Sequence, residues 1–459
     1  MPEVIYRARI LNPTSLEAVA SWEDGALVVD AQGVIRDLGA YGEVEVRHPG
    51  SVILDLRPRW ILPGLVDLHS HVPQYPEVAR DGLELLPWLE THIFPAEARF
   101  ADPDVATPII RRFMADLIRL GTTTAVLYGT VHARTTDLIF SEAEVSGLRI
   151  VAGKSMMDWH APATLRETTE ASLGEAEELC QTWHGRRHGR LMYAFTPRFA
   201  PSCTPELMRG VARLSEKYGA YIQTHLSENL NELAYVRDIF PEAAHYTDVY
   251  RRMGLLSSRT LLAHGIHLSA EEHGMIRRAG ASLVHCPASN AFLRSGIMPL
   301  RRVLDEGLKV GLGTDVGAGV GLSLWREAGT TCQVSKLRFA LQQQGRQRLE
   351  AFPGLSAEQV EGLARHLEFE AERPLDAVEA FALATLGGAR ALGLDDRIGS
   401  LDPGKDADFV VVDASVPDPL GDNRRLDPRD VLGQLLYRPD PHMVRATFVR
   451  GQQCSPRID

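Results

Sequence analysis

Eight short apolar segments, each followed by a helix-like stretch, dominate the middle of the chain and leave few architectures open. They read ILPGLVDLHSH (61–71), TTTAVLYG (122–129), LRIVAGKSMMD (148–158), LMYAFTPRF (191–199), YIQTHLSE (221–228), TLLAHGIHL (260–268), ASLVHCPASN (281–290) and KVGLGTD (309–315). Between them lie amphipathic runs such as ATPIIRRFMADLIRLG and TPELMRGVARLSEKYG. Apolar strands alternating with amphipathic helices are the pattern of an α/β chain closed as a (β/α)8 TIM-type barrel. Polar, potentially reactive residues fall at the C-terminal ends of these strands, the end that carries the active site in such barrels.

The two ends of the chain read differently. IYRARIL, GALVVD, GVIRDLG and SVILDLR are short alternating runs divided by Gly, Asp and Pro, and DADFVVVD and MVRATFVRG repeat the style near the C-terminus. Such runs suggest short strands. The expected organisation is a small β-sandwich domain built from both termini, 1–60 and 395–459, flanking a catalytic barrel at 61–394. The segment 75–100 is a long insertion after the first barrel strand, where Trp88, Phe94 and Phe100 either roof a pocket or form local core. SAEQVEGLARHL and PLDAVEAFALATLGGARALG read as packing helices.

Bulk properties remove several function classes. A net charge of −11 repels a phosphate-rich partner on average, and no basic stripe with interleaved aromatics is present, so nucleic acid is not expected as a partner. No apolar run is long enough to span a bilayer, and MPEVIYRARILNP lacks the basic and apolar regions of a signal peptide, so a cytoplasmic protein without a membrane partner is expected. The five cysteines are scattered, without C-x-x-C spacing, which argues against a disulfide framework or a cysteine-zinc site.

Histidines and carboxylates carry the chemistry. His69-Ser70-His71 ends the first barrel strand, and residues i and i+2 of a strand share a face, so two imidazoles project together as half of a metal site. The fifth strand ends at His225, with Glu228 three residues on; the sixth ends at His264 and the eighth at Asp315. Alone, each would be read as structural. Gathered at one end of one barrel they form a metal-ligand set of three His and one Asp, with a further His and a Glu beside it.

With these residues in place, PGLVDLHSH, THLSE, AHG and GTD resemble the amidohydrolase superfamily, as does the C-terminal IGSLDPGKDADFVVVD (398–413). Within it the chain is similar to the guanine deaminases, through VPQY (72–75), WLETHIFPAE (88–97), TPRF (196–199), HLSEN (225–229), HCPASN (285–290) and GTDVGAG around Thr314. The resemblance implies one divalent metal, zinc with Fe2+ as the other candidate, held by His69, His71, His225 and Asp315. It places His264 at or just outside the metal's ligand shell, steering the water. Binuclear relatives use a lysine at the end of the fourth strand; YAFTPRF has none, and Lys154 lies on the third, so a single metal is implied. A homodimer is expected by the same analogy.

The implied reaction is hydrolytic deamination of guanine to xanthine and ammonia. The metal makes water acidic near neutral pH, Asp315 takes up its proton, and Glu228 protonates the ring nitrogen beside the attacked carbon, which calls for a raised Glu228 pKa. Guanine's O6 and N7 are two parallel acceptors that suit one arginine, and Arg198 is the candidate. Gln74 suits an amide-like ring edge, and Phe199 can stack on the purine. Rival readings are hydrolysis of another aminated or chlorinated heterocycle, such as 8-oxoguanine or an s-triazine, and a non-catalytic binding protein on the same fold. His285 is expected to shape the pocket floor or bind backbone, and His267 and His273 are expected at the surface. Met156 to His160 and Trp325 fit no part of the family pattern and stand as candidates for reshaping the pocket.

Overall fold

The computed structural model describes residues 3–370, 372–421 and 427–455. Eight parallel strands follow one another around a ring: Leu65–His71, Thr122–Tyr128, Arg149–Gly153, Leu191–Pro197, Tyr221–Leu226, Thr260–His264, Ser282–His285 and Lys309–Leu312. The ring closes just past the last strand, where Asp315 N–H donates to the His69 carbonyl at 2.8 Å and His71 N–H to that of Val316 at 2.7 Å. A TIM-type barrel is therefore present, each strand lying where the apolar segments placed it.

Side chains fill the barrel axis. Val66, Leu68, Val126, Val151, Ala194, Leu261, Val284 and Cys286 pack together inside the ring. The alternate residues face outward into a larger core shared with the helices. The helix Pro205–Tyr218 is representative. The Thr204 hydroxyl caps it by accepting the Leu207 N–H, Pro205 suits its first position, and Gly219 ends it at φ 66°. It buries Leu207, Met208 and Val211, each contributing roughly 1.5–3 kcal/mol.

Both ends of the chain meet in one seven-stranded sheet, ordered Gln452–Gln453, Val444–Val449, Phe409–Val412, Val52–Pro63, Val4–Pro13, Val19–Val29, Ile35–Ala40. Val52–Pro63 runs parallel to Val4–Pro13 and antiparallel to Phe409–Val412. Ile61 and Leu62 pair with Val411 and Val410, so the chain changes sheets at Pro63-Gly64 rather than at the apolar onset at Ile61. Only glycine fits at this crossing, since a Cβ on Gly64 would lie 2.1 Å from the Thr123 hydroxyl.

A buried ion cluster ties the two units together. Arg149, at the start of the third barrel strand, is fully buried and donates to Asp406 at 2.9 Å and to Asp408 at 3.0 and 3.1 Å. Removing the guanidinium takes the shared buried cation from two carboxylates, leaving Asp406 the Arg397 guanidinium at 2.7 Å and Asp408 the Arg450 N–H at 2.8 Å, a loss of about 3 kcal/mol. Arg149→Ala should therefore lower the unfolding free energy of the chain, read from urea titration, by about that amount; an unchanged value would show that the cluster holds nothing together. No helix of the described residues is long and apolar enough to cross a membrane.

Candidate active site

The first barrel strand does not alternate regularly. Leu68 faces the axis, and strict alternation would send His69 outward. The pairing with the second strand shifts register between Asp67 and Ser70, and the two imidazoles turn inward. Asp67 supports this turn from behind: it accepts the His69 and Thr314 backbone N–H groups at 3.2 and 3.0 Å and the Thr314 hydroxyl at 2.6 Å. One carboxylate thus joins the strand carrying His69 to the loop carrying Asp315.

Four side chains converge at the top of the barrel. The His69 and His71 Nε2 atoms are 3.2 Å apart, His225 Nε2 lies 3.3 Å from that of His71, and Asp315 Oδ1 is 3.1 and 3.3 Å from the first two. Ligand atoms from all four lie within 4.8 Å of one another. His225 Nδ1 donates to the Arg198 carbonyl at 2.6 Å, so its Nε2 carries a lone pair aimed at the imidazole of His71. Burial lowers the pKa values of all three histidines, His71 to about 4, and neighbouring imidazoles push His225 down further. Burial opposes charge on Asp315, but its hydrogen bonds with His69 and His71 prevail and hold it well below the usual range. Three imidazoles whose pKa values are lowered, gathered around a carboxylate, form a donor set that fits a divalent cation.

Two further groups face this point. His264 Nε2 lies 3.4 Å from Glu228 Oε2 and 3.8 Å from Asp315 Oδ2. Its Nδ1 lies 2.9 Å from Asn290 Oδ1, which accepts the proton there. Ser289, the residue before, donates to Asp315 Oδ2 at 2.5 Å. Glu228 is buried, and burial followed by the charges of Asp315 and Glu232 raises its pKa well above normal, the direction the sequence calls for. Ser227, His264 and Asp315 have φ of 48°, 70° and 46°, left-handed backbone that is rare outside glycine and gathers at functional sites.

A cavity opens over these groups. Gln74, Arg198 and Phe199 all line it, with Leu85, Trp88, Leu89, Leu293 and Ala318 as its apolar roof and wall. Of Trp88, Phe94 and Phe100 in the insertion, Trp88 roofs the cavity, Phe94 stands 5.4 Å under the Arg198 guanidinium, and Phe100 belongs to the main core.

Other expectations change. His285 lines two separate cavities on the outer side of the seventh strand and not this one, because Val284 and Cys286 take the inward positions. His273 is buried, on the inward face of the helix Ala270–Ala279 with Glu272 and Ile276, and its Nδ1 lies 2.7 Å from Glu306. Met156, Met157 and Trp325 are buried elsewhere and do not touch the cavity. Lys154 is buried in an ion pair with Glu167, away from the ligands. All five cysteines are free and buried. Glu97, Asp67 and Asn290 had no assigned role. Glu97 and Asn290 stand in the quoted stretches WLETHIFPAE and HCPASN, whose letters alone could have singled them out.

The Amidohydrolase family model matches residues 60–454. The chain belongs to the amidohydrolase family. A guanine deaminase of Escherichia coli (strain K12) is 36% identical over 445 residues, 96% of this chain and 93% of that protein. A guanine deaminase structure from C. acetobutylicum, with guanine bound in its active site, superposes with a TM-score of 0.87 at 32% identity, covering 99% of this chain and 100% of that one. An adenosine deaminase from Xanthomonas campestris with bound zinc has a TM-score of 0.81 at 25% identity, covering 98% and 92%. This amidohydrolase is thus an enzyme of the hydrolytic aminohydrolase type, on the barrel fold that its structural neighbours share.

Proposed function

We propose that this amidohydrolase is a guanine deaminase, converting guanine and water to xanthine and ammonia. The observation that carries the reading is one cavity with three imidazoles and Asp315 at its base, the Glu228 carboxyl on its wall and Arg198 across from them. The guanine deaminases among its relatives support the substrate. His69, His71, His225 and Asp315 would hold one divalent cation, zinc being favoured by the imidazole-rich set and Fe2+ the second candidate. When bound, that cation supplies the acidity that makes water a nucleophile near neutral pH.

The chain's own residues do the rest. Asp315 takes the proton that the attacking water gives up. Glu228, whose acid form is favoured by burial and by neighbouring carboxylates, donates to the ring nitrogen next to C2, takes the proton of the new C2 hydroxyl as the carbonyl forms and passes it to the departing amine, after which the proton held by Asp315 restores the Glu228 acid. His264 stands between these two carboxylates, its Nε2 placed to orient the water. The apolar roof keeps bulk solvent out. With C2 at the base, O6 and N7 point toward Arg198, and Phe199 packs on the ring face. The integrity of every ligand and of Glu228 counts against a non-catalytic scaffold.

Ammonia release from guanine, set beside 8-oxoguanine and an s-triazine, tests the assignment. Guanine should be the best substrate by a wide margin; equal or better turnover of either alternative would replace it. Arg198→Ala should lower kcat/KM on guanine roughly 10- to 100-fold, the worth of a charge-assisted hydrogen bond, with metal content unchanged. Equal activity would remove Arg198 from the purine-reading role.

A further inference from the structure

The Glu97 carboxylate is buried beneath the catalytic cavity without lining it, and no step above uses it. It lies on the short helix Phe94–Arg99, in the insertion after the first barrel strand. Both of its oxygens accept from a single nitrogen of Arg198, Nη1, at 2.6 and 2.7 Å. Oε1 also accepts from Gln74 Nε2 at 2.9 Å, and Gln74 Oε1 in turn accepts the Gly317 N–H at 3.2 Å. Among the described residues nothing else hydrogen-bonds the guanidinium, so its remaining N–H groups are uncommitted on a residue that lines the cavity.

This connectivity fixes two orientations at once. A guanidinium is a planar fork with five N–H donors, and pinning one terminal nitrogen to a carboxylate sets the direction of the others. An amide can flip, but Gln74 donates to a carboxylate on one side and accepts a backbone N–H on the other, so only one orientation satisfies both. We propose that Glu97 is the specificity-determining positioning residue: by holding Arg198 and Gln74 in one buried array it presents a fixed donor edge that accepts a 6-oxopurine and rejects a 6-aminopurine. The inference rests on the guanine reading above and on Arg198 facing the edge opposite C2. A 6-oxo group and N7 both accept from that edge, whereas a 6-amino group meets it with N–H against N–H. The rejection requires an arginine unable to swing away, and Glu97 supplies that restraint.

The test uses guanine and 2,6-diaminopurine, which carry the same 2-amino group and differ at position 6. Wild type is assayed first; failure to release ammonia from guanine would sink the substrate assignment and leave Glu97 out of account. Given an active wild type with a strong preference for guanine, Glu97→Gln keeps the shape and removes the charge. It should raise KM for guanine about 10- to 100-fold, change kcat less and leave bound metal at the wild-type level. The ratio of kcat/KM between the two purines should fall by a similar factor. A residue that merely held the fold would lower both substrates alike, and an equal loss, or no loss, overturns the proposal. Glu97→Asp keeps the charge and provides the second reading: guanine preference should persist although KM rises. A charge-retaining variant that lost the preference would also overturn it.

Discussion

Glu228→Gln should give a folded, metal-loaded protein whose turnover of guanine is lower by about 10²–10⁴-fold, the usual contribution of a positioned general acid. The glutamine fits the same space and can still accept from the Ser295 hydroxyl, which lies 3.4 Å from Glu228 Oε1. What it cannot do is give up a proton. The pH dependence sharpens the point. Burial and the charges of Asp315 and Glu232 raise the Glu228 pKa, so the acid form persists to higher pH than in an ordinary carboxyl and is lost as pH rises through that raised value. Wild-type kcat should therefore fall on the alkaline side, and the residual rate of Glu228→Gln should lack that limb. A variant with near-normal turnover, or one that keeps the alkaline fall, would move the proton donor elsewhere.

The second large effect concerns the ligand cluster. Dialysis against a chelator should abolish ammonia release, and stoichiometric Zn2+ or Fe2+ should restore it, the better of the two identifying the working metal. His71→Ala should do the same without a chelator. Disturbing a residue that only supports a ligand costs about 10- to 100-fold in metal affinity or activity, so deleting a ligand should exceed 100-fold. The metal-free protein should also melt earlier, because a cation bound only by the native state adds about 2.7 kcal/mol at a hundred times its Kd. Full activity after exhaustive chelation, or in His71→Ala at wild-type protein levels, would break the hydrolytic reading.

Much of this was legible in the linear sequence because barrel architecture converts position into function. Buried parallel strands appear as uninterrupted apolar runs, and the residues that end those runs necessarily gather at one rim. His69, His71, His225, His264 and Asp315 could be named for that reason alone. Glu97 could not: it lies on a helix inside an insertion, and its partnership with Arg198 spans 101 positions that no local pattern reports. His273 illustrates the opposite failure. A polar letter after a strand reads as surface, yet the turn of its helix carries it inward to a hydrogen bond with Glu306. His285 was misplaced by parity, since one step along the seventh strand decides whether a side chain meets the axis or the helices.

The order of strands in the terminal sheet has a consequence for biosynthesis. The segment leading directly into His69 and His71 is hydrogen-bonded on one side to Val4–Pro13 and on the other to Phe409–Val412, a strand made roughly 350 residues later than the one it joins. On the ribosome, the leading histidine pair therefore hangs from an unfinished edge until residue 412 has emerged.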